Sequence, residues 1–512
     1  MYIIKQNKNG NWILIKKGTK KATKTFSSKS EAIFYADEKN YDYDVERTIT
    51  DNVSKAIKKK PKIFIPIIFC TLIIIIGIFA LLYFTGNLDS IISKQTSEIE
   101  DNNSNSNGKD NDQSGNIDVI DEEYIVENIK YDDFQIHFLE LGNKYTGDSC
   151  YIKAGDTDIL IDAGSRGNSS STLTEYVSKY CTDGKLEYVI ATHGHQDHIS
   201  GFAGNSDSKA KNFKGETVGR TGILYYFEVG TFIDFAYKGE GSSAVDNKIQ
   251  KSSDYGSSIE YGKYLTAREY AISKGANYFT AKELWDNNNT NFELADNINM
   301  DILYNYYYFA SSTDENNYSV CTMFNYNDHH FLLTGDLEKD GEEKLVNYYN
   351  QNLSHQDLPH CDLFKGGHHG SYTASNEVIL NAITPDICCV CCCAGATEYT
   401  PNVDTQFPSQ EFINRIAKYT SRVYVTTMFD EVKKTNVSMN GNIIVSCNGI
   451  KVGLNASNNL IKLKDTRWFN TVVYVDSKGY NVSGKAKEDF YTALTEGTTA
   501  RKRRTWPLDG VE

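Results

Sequence analysis

From about Ile125 the chain alternates short apolar runs with stretches of helical spacing. Residues 135–141, 158–161, 188–191, 319–324, 330–333, 361–364 and 387–392 read as strands, and helices are expected after Ser170, Glu338, Ser375 and Pro408. This mixed order predicts an α/β layered fold over residues 125–455. Residues 203–300 are long, polar and Tyr-rich, and read as an insertion with its own helices at 262–275 and 281–286. Residues 442–445 and 450–452 would close a sheet, and 456–512 form a C-terminal extension.

A different pattern precedes this region. Tyr2-Ile3-Ile4, Trp12-Ile13-Leu14-Ile15 and Ala22-Thr23-Lys24-Thr25-Phe26 read as short strands split by Gly10 and Gly18, and Ser28 starts a helix carrying Ala32, Ile33 and Ala36. Residues 1–45 are therefore expected as a small α+β module. The module resembles a small bacterial family of unknown function and suggests no activity. Residues 63–84 are uncharged and apolar throughout, long enough as a helix to cross about 30 Å of hydrocarbon and without the polar face of an amphipathic one. Lys55, Lys58, Lys59, Lys60 and Lys62 crowd one flank, while Asp89, Glu98, Glu100 and Asp101 follow the other. The positive-inside bias puts the N-terminus in the cytoplasm and everything after Phe84 outside a cell membrane crossed once. Residues 86–122, rich in Ser, Asn, Asp and Gly, read as a disordered tether.

At 512 residues the chain has room for two or three domains, and a net charge of −14 argues against a general nucleic-acid-binding protein. Five of its eleven cysteines lie in Cys388-Cys389-Val390-Cys391-Cys392-Cys393. Ligands on a strand must share a face, and no second pair stands at ribbon-like spacing, so small buried apolar residues are expected there rather than a metal-thiolate site. Arg501-Lys502-Arg503-Arg504 reads as a solvated basic end in preference to a contact with anionic polymer or nucleic acid.

The chemistry concentrates where strands end. Val189-Ile190-Ala191 runs into Thr192-His193-Gly194-His195-Gln196-Asp197-His198, placing three imidazoles and a carboxylate within six residues. Neutral imidazole and carboxylate suit zinc and similar divalent ions, and gathering such groups without purpose would be costly. Three further strand ends carry Asp162-Ala163-Gly164, Gly335-Asp336 and Gly366-Gly367-His368-His369-Gly370-Ser371. Of the ten histidines, five lie in these loops.

In this order the four motifs resemble the metallo-β-lactamase superfamily, with a more particular likeness to the hydrolase domain of ComEC-type DNA-uptake proteins and to secreted teichoic-acid phosphorylcholine esterases. Leu139-x-Leu141-Gly142 leading to Gly147-Asp148-Ser149, and Asn317-Tyr318-Ser319 before a strand, add to it. The resemblance implies an αββα sandwich and two divalent metal ions, zinc or manganese. His193 and His195 would bind the first, Asp197 and His198 the second, with Asp336 bridging. His368 is expected to complete the second site, leaving His369 to hold substrate or protonate the leaving group, while Asp162 orients the ligand loop from behind. The chain departs from the pattern twice: no histidine occurs between His198 and His329 to supply the usual third ligand of the first site, and Thr405-Gln406-Phe407-Pro408 stands where a ComEC-type domain often carries Gly-His-Pro.

The expected activity is extracellular, metal-dependent hydrolysis of a phosphodiester or phosphoester by activated water, with Asp197 steering the nucleophile or its proton. The substrate would be an anionic cell-surface polymer, a headgroup or nucleic acid. Lys365 is expected either to meet a phosphate or to be solvated. The alternative is a metal-binding sensor ectodomain of low turnover, since a cytoplasmic module, one span and an exported domain also form the layout of a signal transducer. No protein partner can be inferred.

Overall fold

The computed structural model of the chain describes residues 2–6, 12–17, 19, 22–26, 41, 43–45 and 130–512, apart from 237–249, 257, 352–356, 432 and 483–497. The helix expected from Ser28, the span at 63–84 and the tether at 86–122 lie outside these residues. Among the described residues no helix is long and apolar enough to cross a membrane.

Two units divide near residue 120. In the first, β1 (Tyr2–Gln6), β2 (Trp12–Lys16), β3 (Ala22–Phe26) and β4 (Tyr43–Val45) form a sheet in the order β3-β2-β1-β4. Leu14 and Ile15 are buried in it. The fourth strand, parallel to β1, was not among the expected elements.

The second unit holds two eight-stranded mixed sheets. The first is built from β5 (Phe134–Phe138), β6 (Cys150–Ala154), β7 (Thr157–Ile161), β8 (Lys185–Ile190), β9 (Glu228–Asp234) and β10 (Asn277–Thr280). The other takes β11 (Asn291–Ala295), β12 (Ile298–Ile302), β13 (Thr322–Tyr326), β14 (His329–Leu333), β15 (Leu363–Lys365), β16 (Ile387–Ala394), β17 (Val423–Asp430) and β18 (Thr435–Ser438), side by side in chain order. Then β19 (Ile443–Cys447) and β20 (Val452–Ala456) return to the first sheet, beside β5. Segment 203–300 is thus not an insertion outside the layers: it supplies β9 and β10 to one sheet and β11 and β12 to the other. Its outermost strands, β10 and β11, are short, largely polar edge strands without the continuous apolar runs of a buried parallel strand, which is why its pattern reads as accessory.

Alternation along the central strands builds the layers. Phe331, Leu333, Leu363, Cys389 and Cys391 join a core shared with Phe134, Ile136 and Val445 of the facing sheet, and the rings of Phe134 and Phe331 lie 5.1 Å apart. Their neighbours Leu332, Phe364, Cys388, Val390 and Cys392 point the other way, against α6 (Lys339–Gln351), α7 (Glu377–Ile383) and α8 (Gln410–Ile416). All eight residues of β16 are buried, so its cysteines serve both faces of one strand as small apolar groups. Helices α1 (Ser169–Val177), α2 (Gln196–Ala203), α3 (Ile223–Tyr226) and α4 (Glu260–Ser273) pack into the core of the first sheet, and α5 (Ala281–Asp286) links β10 to β11. The layers are αββα.

Strands β7 and β8 run parallel, as do β14 through β17. Their carboxyl ends therefore release their loops at common edges, the place where open α/β sheets hold ligands.

The C-terminal extension is not a solvated tail. β21 (Val472–Val475) pairs with β22 (Thr499–Lys502), and Arg503 and Arg504 behind it are buried. Arg504 donates from Nε to the Pro408 carbonyl (2.8 Å) and from its terminal nitrogens to the Gln406 carbonyl (2.7 Å) and its neighbour's carbonyl (2.8 Å). A guanidinium can be buried where carbonyls satisfy its fork of donors, a matching that no local pattern announces.

Candidate metal centre

Asp162 leaves β7 in a left-handed backbone conformation (φ 59°). Its carboxylate accepts the Thr192 amide at Oδ1 (2.8 Å) and the Thr192 hydroxyl at Oδ2 (2.8 Å), and Oδ2 lies 2.7 Å from His198 Nδ1. Held by its two bonds from Thr192, the Asp162 carboxylate fixes the His198 ring and aims its Nε2 at Asp336 Oδ2, 3.0 Å away. The backbone tightens the same joint: the Ala163 amide donates to the His198 carbonyl (2.8 Å) and the Gly201 amide to the Ala163 carbonyl (2.9 Å). A Cβ at Gly201 would overlap that carbonyl oxygen, so the glycine lets α2 sit against the Asp162 loop.

His193 Nε2 and His195 Nδ1 converge at 3.1 Å. His193 is buried, with Nδ1 3.1 Å from the Thr192 hydroxyl and 3.5 Å from that of Ser319. Ser319 also accepts the Asp336 amide (3.1 Å), so the Asn-Tyr-Ser stretch supports the loop after β14.

Asp197, His198, Asp336 and His369 form one buried cluster, with one potential ligand atom from each inside a 4.8 Å span. The order within the histidine pair is the reverse of the expected one. His369 is fully buried, its Nδ1 2.9 Å from the Cys391 carbonyl and 3.1 Å from Asp148 Oδ1, its Nε2 3.2 Å from both Asp197 Oδ2 and Asp336 Oδ2. His368 is partly open; its Nδ1 meets Glu338 (3.0 Å) and the Thr373 hydroxyl (3.1 Å), and its Nε2 stands 3.9 Å from Asp336. Both residues have positive φ, 44° and 54°, and this turn after the double glycine carries the second imidazole, not the first, into the cluster.

Charges in the cluster hold one another. Burial works to raise the Asp336 pKa, but His198, His369 and His368 bring it well below the usual carboxylate range. For His198 burial acts downward, while Asp336 and Asp162 prevail and raise the pKa, so this point in the protein demands positive charge. Lys365 is neither solvated nor open to a phosphate. It is buried 2.5 Å from Asp148 and 3.1 Å from the Gly335 carbonyl; burial pulls its pKa down, and Asp148 and Asp336 more than offset that.

The residues fit a bound cation. Imidazole and carboxylate converge in a buried space, and Asp336 Oδ1 has no hydrogen-bond partner among the described residues.

Asp148, Glu338 and Tyr399 carried no assigned role in the sequence reading. Asp148 stood inside a quoted Gly-Asp-Ser piece, but its contacts with Lys365 and His369 come from the end of β15 and the turn after it, more than 200 residues downstream. Tyr399, one of 35 tyrosines, donates to Asp197 Oδ2 (2.6 Å) from the loop after β16. Phe407, where a histidine was sought, packs its ring 5.5 Å from His368 and 5.7 Å from His369.

Residues 143–205, which carry Asp162 and the histidine motif, match the Metallo-beta-lactamase superfamily. A segment of 55 residues is 49% identical to the Competence protein ComA of Neisseria gonorrhoeae, covering 11% of this chain and 7% of that protein. The chain thus spans a small fraction of the curated relative's length. Solved structures similar to it include the metallo-beta-lactamase fold protein YhfI of Bacillus subtilis (10% identity, 57% of this chain and 95% of that one, TM-score 0.29). The short form of human tRNase Z is another (11% identity, 59% and 94%, TM-score 0.26). At these scores neither bears on the activity of this chain. The likeness to the superfamily holds over the segment that carries Asp148, Asp162, His193, His195, Asp197 and His198.

Proposed function

We propose that this chain is a metal-dependent hydrolase of a phosphodiester or phosphoester, held at the outer face of a cell membrane by the apolar segment at 63–84. The observation that carries the reading is the convergence of Asp197, His198, Asp336 and His369 inside 4.8 Å, beside the paired nitrogens of His193 and His195.

His193 Nε2 and His195 Nδ1 would hold one divalent ion, zinc or manganese; Asp197, His198 Nε2 and His369 Nε2 would hold a second, with Asp336 between them. Bound there, such ions make a water acidic near neutral pH and neutralise charge building on phosphoryl oxygens. Asp162 fixes the His198 ring so that Nε2 faces inward. His368, partly open and backed by Glu338, takes the role expected of His369: its Nε2–H protonates the leaving oxygen. As the water oxygen bonds to phosphorus, the bond to the leaving oxygen breaks. The leaving oxygen takes the His368 proton, and the proton lost by the water passes to solvent, from which His368 is recharged.

The test is hydrolysis of bis-p-nitrophenyl phosphate by the purified full chain with its metal content measured, beside His193→Ala and Asp336→Ala. Turnover in the wild type, abolished in both variants, is the expected result. Full metal occupancy with no ester of any kind cleaved would sink the enzymatic reading and favour a ligand-sensing ectodomain.

A further inference from the structure

Two partly exposed side chains border the buried cluster. One is His368. The other is Tyr399, which no motif selected. Its loop is pinned from behind: neighbouring Glu398 pairs with Arg166 (2.5 Å) and accepts the Thr146 amide (3.1 Å). Its ring rests on Phe407, 5.4 Å between centroids, and Phe407 in turn abuts His368 and His369. The hydroxyl is thereby delivered to Asp197 Oδ2 at 2.6 Å, an oxygen already 3.2 Å from His369 Nε2.

Tyr399 is 51% exposed as a residue, yet its hydroxyl end sits against the Asp197 carboxylate in the buried cluster. An ionised carboxylate only accepts, so the phenol is the donor here, and rotation about its C–O bond can present the same hydrogen to another nearby acceptor.

We propose, on the phosphoester reading above, that Tyr399 donates this hydrogen bond to a non-bridging phosphoryl oxygen as charge builds there. It keeps its proton throughout; the leaving oxygen is protonated by His368. Removing one such preorganised donor costs on the order of 10²-fold in kcat.

The experiment compares the metal-loaded full chain with Tyr399→Phe on aryl phosphodiesters spanning good to poor leaving groups, with metal content measured on both. The expected result is a kcat loss on the order of 10²-fold, of the same size for every leaving group, with KM and metal content little changed. An unchanged kcat overturns the proposal. So does a loss that grows as the leaving group worsens, which marks a proton donor, and so does lost metal, which marks a brace on Asp197. A wild type inactive on every phosphoester takes down the functional reading and this proposal together, whereas an active wild type matched by Tyr399→Phe overturns this proposal alone.

Discussion

Asp162→Asn tests the joint that aims His198. The change keeps size and the left-handed backbone (φ 59°), which asparagine tolerates, so the loop keeps its path. Oδ1 can still accept the Thr192 amide (2.8 Å), and the Thr192 hydroxyl can turn to accept from the new Nδ2. The third contact cannot survive unchanged. Nδ2–H would face His198 Nδ1 at 2.7 Å, and two donors cannot meet there. The ring responds by moving its proton to Nε2, the nitrogen that points at Asp336 Oδ2, and its inward lone pair is lost. Loss of such an outer partner lowers metal affinity about 10–100-fold, which is roughly 1.4–2.8 kcal/mol. Chelator competition measures the affinity, and urea unfolding of the metal-free chain measures separately what the lost buried contact with His198 costs the fold. Equal affinity in the wild type and Asp162→Asn would refute the claim that Asp162 sets the His198 tautomer.

Lys365→Met leaves the buried carboxylates of Asp148 and Asp336 without their ammonium, at a cost of roughly 3–5 kcal/mol in metal-free protein by urea unfolding; a neutral result would contradict the buried pairing. Arg504→Met orphans the carbonyls of Gln406 and Pro408, each worth about 1–3 kcal/mol, and should lower both the melting temperature and turnover by loosening the Phe407 wall; an unaffected enzyme would return the basic tail to solvent. For Glu338, burial acts to raise the pKa, but hydrogen bonds from His368, Asp314 and Thr373 hold it down to about 2. A depressed carboxylate stabilises fully above its ordinary value of 4.5 and loses that contribution as pH falls toward 2, so the stability advantage of wild type over Glu338→Gln should shrink across this window. A gap that widens on acidification would reverse the sign and refute the pairing.

Strand ends were readable in the chain because apolar runs stop where polar ligands begin. Residues 188–191 hand over to His193, 330–333 to Asp336 and 361–364 to His368 and His369, and each handover is a local contrast in hydrophobicity. The cysteine run likewise announced small apolar residues in a buried strand, and the structure buries it on both faces. Other features depended on residues distant in the chain. Which member of the His368-His369 pair turns inward rests on two positive φ angles and a carbonyl in β16. Whether Lys365 meets water or Asp148 rests on a loop 217 positions earlier, whether Arg504 is solvated rests on the carbonyls of Gln406 and Pro408 about 100 positions away, and whether Arg503 is solvated rests on the Glu431 carboxylate and the Gln406 side chain. Polar satisfaction is a property of pairs: a residue's type states what it can donate or accept, and folding chooses the partner. The same reason hid Tyr399, whose role lies in one hydroxyl direction among 35 similar side chains.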